Sequence, residues 1–183
     1  PLRTQQDIHT CYHIRAFSDF QLYGLTSTQI MLSHDWPSGV PSKYGGKYLQ
    51  RRRRDLIESD NKNQFGLDKG LELQKRLKPG GWFASHHHIT FNADINGTSF
   101  HALPKPTRPD WFLVCDIEGE GEVLPFKYRG EWISILKATC SEMADPSILK
   151  NSNWDERWNE IKPTFTQCDD CPVGDFELNP YEY

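Results

Sequence analysis

The chain has 183 residues and a net charge of −4, with 37% hydrophobic and 25% charged residues. This composition is typical of a folded protein with one domain, or with one domain and a small second one. No apolar run approaches the roughly 18 to 20 residues of a membrane span, and the polar start leads us to expect no secretory signal peptide. The negative charge excludes a protein that is basic all over, so any RNA binding requires a local cluster of Lys and Arg.

The first half of the chain alternates predicted helices with short apolar strands. Apolar residues recur every three to four positions over residues 10–25, which predicts a helix. Residues 29–33 (QIMLS) form an apolar run that suits a buried strand. A second helix is predicted over 66–78 and a second strand over 82–84, with 89–93 continuing as a strand.

Each of the first two strands leads directly into a loop that contains histidine. Residues 29–33 precede His34, and residues 82–84 precede Ser85 and three consecutive histidines, His86 to His88. Ligands in open α/β folds bind beyond the carboxyl ends of strands, so we expect both loops to share a site. If residues 86–88 are extended, His86 and His88 point one way and His87 the other.

The character of the sequence changes near residue 98, where we place a domain boundary between residues 1–98 and 99–183. Strands are predicted at 100–103 and 111–117, and helices at 131–139 and 154–161. The predicted fold class is mixed α/β. Five cysteines, far apart except Cys168 and Cys171, indicate reduced thiols rather than a disulfide framework. Those two have the spacing of half a zinc site, but no second pair completes it.

The histidines are candidate metal ligands, because neutral imidazole is the commonest protein ligand for a metal ion. A His-x-His pair at one strand end and a histidine from another strand end can supply converging lone pairs. The pattern alone fits a surface histidine cluster equally well. His34, beside Asp35 and Trp36, also fits a purely structural hydrogen-bonding role.

Several segments resemble one known family. Residues 33–40 (SHDWPSGV) resemble the SHDWP-x-G-[IV] segment of the lariat RNA debranching enzymes, a branch of the calcineurin-like metallophosphoesterases. The segment WFASHHH resembles the family's W-F-S-[AG]-H-x-H, and NQFG and LKP resemble its N-T-L-G and L-K-P. The similarity covers most of residues 10–139, including 12–15, 100–105 and 131–139, and fades after that.

The resemblance implies a metal-dependent phosphodiesterase that hydrolyses the 2′–5′ branch-point bond of intron lariats in the nucleus, with shuttling to the cytoplasm as an option. It implies that His34 and His86 hold one metal and that His88 reaches a neighbouring position, while His87 has no role. One or two divalent ions are expected, and iron, zinc and manganese all remain open. Asp35 either orients a ligand histidine or simply bonds the turn. The expected partner is branched RNA.

Five residues are candidate RNA contacts, each with a structural alternative. Arg51 and Arg52 either contact phosphates, serve as a nuclear import signal with their neighbours, or form a solvated helix face. His13 and Arg15 match positions near the family's lariat-binding loop, although core capping fits equally. Trp36 either stacks on a base or packs inside the protein.

The resemblance implies two packed β-sheets flanked by helices, of which residues 1–98 are the second half, followed by a small C-terminal α+β domain. The alternative function is a catalytically incomplete RNA-binding or scaffold module. Phosphoesterases of proteins or nucleotides are disfavoured, because the Trp36-Pro37 continuation is typical of the RNA branch.

The family's N-terminal ligand motifs, including Gly-Asn-His-Glu and the histidine that protonates the leaving oxygen, do not occur in this sequence. The resemblance places them before Pro1, the first residue of the chain. We therefore expect no catalytic acid among residues 1–183, and either a separate chain with the N-terminal half or an isolated fragment.

Overall fold

The computed structural model describes residues 16–108, 110–116, 127–139, 153–164 and 168–172. The chain divides into two compact units. Of the described residues, 26–108 and 110–115 belong to one, and 16–25, 116, 127–139, 153–164 and 168–172 belong to the other. In chain order the elements are α1 (Ala16–Tyr23), β1 (Ile30–Leu32), α2 (Val40–Tyr44), α3 (Gly46–Arg52), α4 (Arg54–Asn61), α5 (Gly70–Leu77), β2 (Gly81–Ala84), β3 (Phe91–Ile95), β4 (Thr98–Ala102), β5 (Lys127–Tyr128), α6 (Gly130–Thr139), α7 (Trp154–Ile161) and β6 (Cys171–Pro172).

The unit that contains residues 26–115 is built on a four-stranded sheet with the order β1-β2-β4-β3. Strands β1, β2 and β4 are parallel, and β3 pairs antiparallel with β4. The predicted boundary near residue 98 does not coincide with the edge of this unit, because β4 begins there and belongs to the sheet. The predicted α/β class is confirmed in this coarse sense, and the sheet is compatible with a metallophosphoesterase-type fold.

The two faces of the sheet differ in burial. One face carries the buried side chains of Trp82, Phe91 and Phe100. On the other face the strand register places Leu32, Phe83, His101 and Asn92 in one row. Leu32 is 76% exposed, so the described residues leave the β1 end of this row uncovered.

Most predicted elements are confirmed, and one is wrong. The strands predicted at 29–33, 82–84, 89–93 and 100–103 and the helices predicted at 66–78 and 131–139 are present with shifted ends. The helix predicted at 154–161 is present with the predicted ends. The helix predicted over 10–25 is described from Ala16 onward. The strand predicted at 111–117 is absent from the described residues 111–116, which are irregular and exposed. An apolar run forms a strand only where a neighbouring strand accepts its backbone hydrogen bonds.

The second unit contains helices α1, α6 and α7, and aromatic side chains join α1 to α7. The ring of Phe20 in α1 meets Trp154 and Trp158 of α7 edge to face, at centroid distances of 5.9 and 5.8 Å. Gln21 Nε2 donates to Thr139 Oγ1 of α6 at 2.9 Å. A two-stranded sheet, β5 with β6, completes the described part of this unit. Across the described residues, each helix is too short or too polar to cross a lipid bilayer.

Candidate metal centre

Two histidine loops meet at one edge of the four-stranded sheet. His34 follows β1 and Ser85 follows β2, and these strands are parallel neighbours, so their carboxyl ends lie side by side. The Ser85 N–H donates to the His34 carbonyl at 3.1 Å. Trp36 Nε1 donates to the Ser85 carbonyl at 2.9 Å. The predicted convergence of the two loops is therefore confirmed.

The closest pair of imidazoles in this site is His34 and His86. His86 Nδ1 lies 2.8 Å from His34 Nε2. Two nitrogens that share one tetrahedral ion at about 2.0–2.1 Å are about 3.3 Å apart, so this pair would separate slightly to hold an ion together. Without an ion, the same nitrogens can share a proton. Burial lowers the pKa of His86, although nearby Asp35 acts in the opposite direction. The lowered pKa favours the neutral imidazole, which is the form that binds metals.

The histidine loop is not extended, so the condition under which its side chains would alternate is not met. The backbone φ angles are +52° at His86 and +56° at His88, in the left-handed region that few non-glycine residues occupy. The His87 N–H donates to the Ser85 carbonyl at 2.6 Å, which closes a strained three-residue turn centred on His86. The alternation of side chains expected for a strand therefore does not apply to these three histidines.

Asp35, His86 and His87 form a compact group of possible ligands, with one ligand atom of each residue within 4.8 Å of the others. His87, to which the resemblance gave no role, lies 3.0 Å from Asp35 through its Nε2 atom. Burial opposes ionisation of Asp35, but hydrogen bonds from His87 and from the Trp36 N–H outweigh it and lower the pKa of the carboxyl. His88 lies outside this group on the surface, and its pKa is also lowered, by desolvation and then by nearby Lys105 and Arg53.

Two buried side chains hold the His34 loop in place. Trp36 is fully buried and stacks on Phe91 at a centroid distance of 5.2 Å, so packing is the alternative that the structure supports, and its predicted contact with an RNA base is not retained. Asp60 of α4 is 5% exposed and accepts hydrogen bonds from the N–H groups of Gly39 at 2.7 Å and Ser42 at 2.9 Å. Sequence reasoning missed Asp60, because no local pattern links it to residues about 20 positions earlier.

The arginines beside this site differ in their surroundings. Arg54 pairs with Glu58, and Arg53 pairs with Asp55. Arg51 and Arg52 are exposed at the end of α3 and form no ion pair within the described part of the chain; the Arg52 guanidinium lies over the Tyr48 ring.

Three positions that the sequence singled out lie outside the described residues. His13 and Arg15 were candidate RNA contacts, and both precede Ala16, where the description begins. Pro1, before which the resemblance places the catalytic acid, also lies outside them. The roles of His13 and Arg15 and the position of the acid therefore stay predictions.

Comparison with known proteins indicates the same family as the motifs in these loops. The chain is 31% identical over 180 residues to the lariat debranching enzyme of Gallus gallus, which covers 87% of this chain and 33% of that protein. The chain belongs to the family of the lariat debranching enzymes. The enzyme of Caenorhabditis elegans is 32% identical, with 76% of this chain and 32% of the relative covered. The human enzyme is 30% identical, with 76% and 28% covered.

The chain thus spans about a third of the length of the curated debranching enzymes that it matches. No protein-family model matches it.

Proposed function

We propose that this chain forms part of a metal-dependent RNA phosphodiesterase that hydrolyses the 2′–5′ branch-point bond of intron lariats. The observation that carries the proposal is the 2.8 Å approach of His34 Nε2 and His86 Nδ1 at the ends of adjacent parallel strands. Relatives named lariat debranching enzymes support branched RNA as the substrate. Because the chain spans only part of their length, the activity is proposed for the complete protein.

The proposed metal site takes its ligands from both loops. His34 and His86 hold one divalent ion and His88 reaches a neighbouring one, with iron, zinc and manganese as the candidates. When bound, such ions supply a nucleophilic water and stabilise charge on the phosphate and the leaving oxygen. The lowered pKa of His86 supports the neutral imidazole that ligation requires. The remaining ligands and the catalytic acid come from the rest of the protein or from a separate chain.

Arg51 and Arg52 are proposed to contact phosphates of the branched RNA. Both are exposed and lack an ion pair in the described residues, so their charges are available to a polyanion. We also propose that the protein acts in the nucleus, where lariats arise during splicing. We also propose that a second sheet and a small C-terminal domain complete the fold.

The test is hydrolysis of a branched 2′–5′ RNA by the complete protein with added Mn²⁺, Zn²⁺ or Fe²⁺. Partners that only support a metal ligand are worth about 10–100-fold, so His34→Ala and His86→Ala should each lower kcat/KM by at least about 100-fold. His101→Ala is the matched control, because His101 bonds Asn92 on the sheet face, away from both loops. Equal rates in all four proteins would overturn the proposal.

Metal analysis separates this proposal from the alternative of an RNA-binding or scaffold module. Stoichiometric metal with turnover supports the phosphodiesterase. RNA binding without metal or turnover in the complete protein would support the scaffold instead.

A further inference from the structure

His87 is the least exposed of the three consecutive histidines and has the most contacts. Its side chain is 14% exposed, whereas His86 and His88 are exposed. The ring stacks on Phe65 at a centroid distance of 4.6 Å with 23° between the planes, and it meets the Trp36 ring edge to face at 5.4 Å. These two aromatic contacts fix the plane of the His87 ring.

That orientation directs one nitrogen of His87 at the other loop. His87 Nε2 lies 3.0 Å from Asp35 Oδ1, and the same oxygen accepts the Trp36 N–H at 2.8 Å. Asp35 is directly adjacent to His34 in the chain. The His87 carbonyl also accepts a hydrogen bond from Arg53 Nη1, at 2.5 Å. The loop is thus fixed through both the side chain and the backbone of His87.

The backbone on either side of His87 is strained and needs surrounding contacts to hold it in place. His86 and His88 both have positive φ angles, which cost of order 1–2 kcal/mol for a residue with a side chain. Strained backbone persists only where surrounding contacts hold it. Since His86 is the central residue of the strained turn, its position opposite His34 depends on contacts made outside its own ring.

We infer that His87 is the positioning residue of the site: it joins the histidine loop to Asp35 and thereby brings His86 opposite His34. It acts through its neighbours: its Nε2 bonds Asp35, and its ring is enclosed by Phe65 and Trp36. The expected effect of His87 on metal binding rests on the proposed function, whereas its expected effect on the order of residues 85–88 does not.

The experiment compares three variants in the complete protein. His87→Phe keeps the stacking on Phe65 and removes the bond to Asp35, whereas His87→Gln places an amide nitrogen where Nε2 lies. His101→Phe is the control, because His101 stacks on Phe83 at 5.4 Å and bonds Asn92 Oδ1 at 2.9 Å, so the same kind of contact is lost elsewhere.

Binding of Co²⁺ is measured by its absorption spectrum and by competition with a chelator. His87→Phe should weaken Co²⁺ binding about 10–100-fold without changing the stoichiometry or the band positions at saturation. His87→Gln should recover part of the lost affinity. In the hydrolysis of branched RNA by His87→Phe, kcat should fall more than KM rises. A changed Co²⁺ spectrum at saturation in His87→Phe would show that His87 is a ligand and would overturn the positioning role. Unchanged Co²⁺ affinity in His87→Phe would also overturn it.

Amide hydrogen exchange at residues 85–88 without metal distinguishes failure of this inference from failure of the proposed function. His87→Phe should lose protection there and His101→Phe should not. If the wild-type protein binds no Co²⁺ yet the loop loses protection in His87→Phe, the proposed function fails and the fixation of the loop by His87 stands. If Co²⁺ binds but protection is the same in both variants, only the role of His87 is overturned.

Discussion

The two loops that form the site are stabilised in different ways. The loop of residues 33–39 is anchored to the core by buried Trp36 and to α4 by the Asp60 carboxylate, which accepts a hydrogen bond from the Gly39 N–H. The loop of residues 85–88 contains a strained turn and bonds mainly to the first loop, through Ser85 and His87. The first loop is therefore held by contacts with the core, whereas the position of the second loop depends on its contacts with the first. Changes in the first loop should disturb both, whereas changes in the second should stay local.

The largest effect is expected for Trp36→Ala. Trp36 is fully buried, stacks on Phe91 and bonds the Ser85 carbonyl, so its loss leaves a cavity and an unpaired acceptor. The free energy of unfolding should fall by about 3–5 kcal/mol, measured by urea unfolding of the complete protein. A loss under about 1 kcal/mol would show that the first loop is not anchored by this side chain.

The next effect is expected for Gly66→Ala. Gly66 has φ +62°, and an added Cβ would overlap the Trp36 carbonyl oxygen. Gly97 has φ +86° with open space around it, so Gly97→Ala measures the backbone strain alone, about 1–2 kcal/mol. Gly66→Ala should lower the unfolding free energy by more than this control does. Equal losses would mean that the Trp36 carbonyl moves aside without cost.

Asp60→Ala tests the polar anchor of the first loop. The change leaves the Gly39 and Ser42 N–H groups without their buried acceptor, at a cost of about 1–3 kcal/mol in unfolding free energy. The control is Asp94→Ala, which removes a 3.0 Å bond to the Gly97 N–H in an exposed turn. Asp94→Ala should cost about 1 kcal/mol or less. A control as costly as Asp60→Ala would argue against an anchor at Asp60.

The smallest effect on stability is expected for Arg51→Ala with Arg52→Ala. These exposed side chains should change the unfolding free energy by no more than about 0.5 kcal/mol. If they contact phosphates, RNA affinity should fall and the dependence of log K on log salt should flatten by about one per arginine. Arg54→Ala, which removes a residue paired with Glu58, is the comparison. The same salt dependence in all proteins would place the RNA elsewhere.

The placement of the loops was predictable from the sequence, but the shape of one of them was not. Short apolar runs that end in histidine, followed by Pro37 or preceded by Gly81, indicate strands, and the sheet places the carboxyl ends of these strands side by side. The turn at His86 was missed, because a positive φ in a residue with a side chain has no local signature. The contacts of Asp60 and His87 were missed because they join residues distant in sequence, which only tertiary packing specifies.

The most direct test of the proposed site is the metal content of the purified complete protein and its His86→Ala variant, measured by elemental analysis. The geometry at His34 and His86 predicts at least one transition metal per wild-type molecule, a clear reduction in His86→Ala, and no reduction in His101→Ala. Equal metal content in the wild type and His86→Ala would contradict a metal centre at the ends of these two strands.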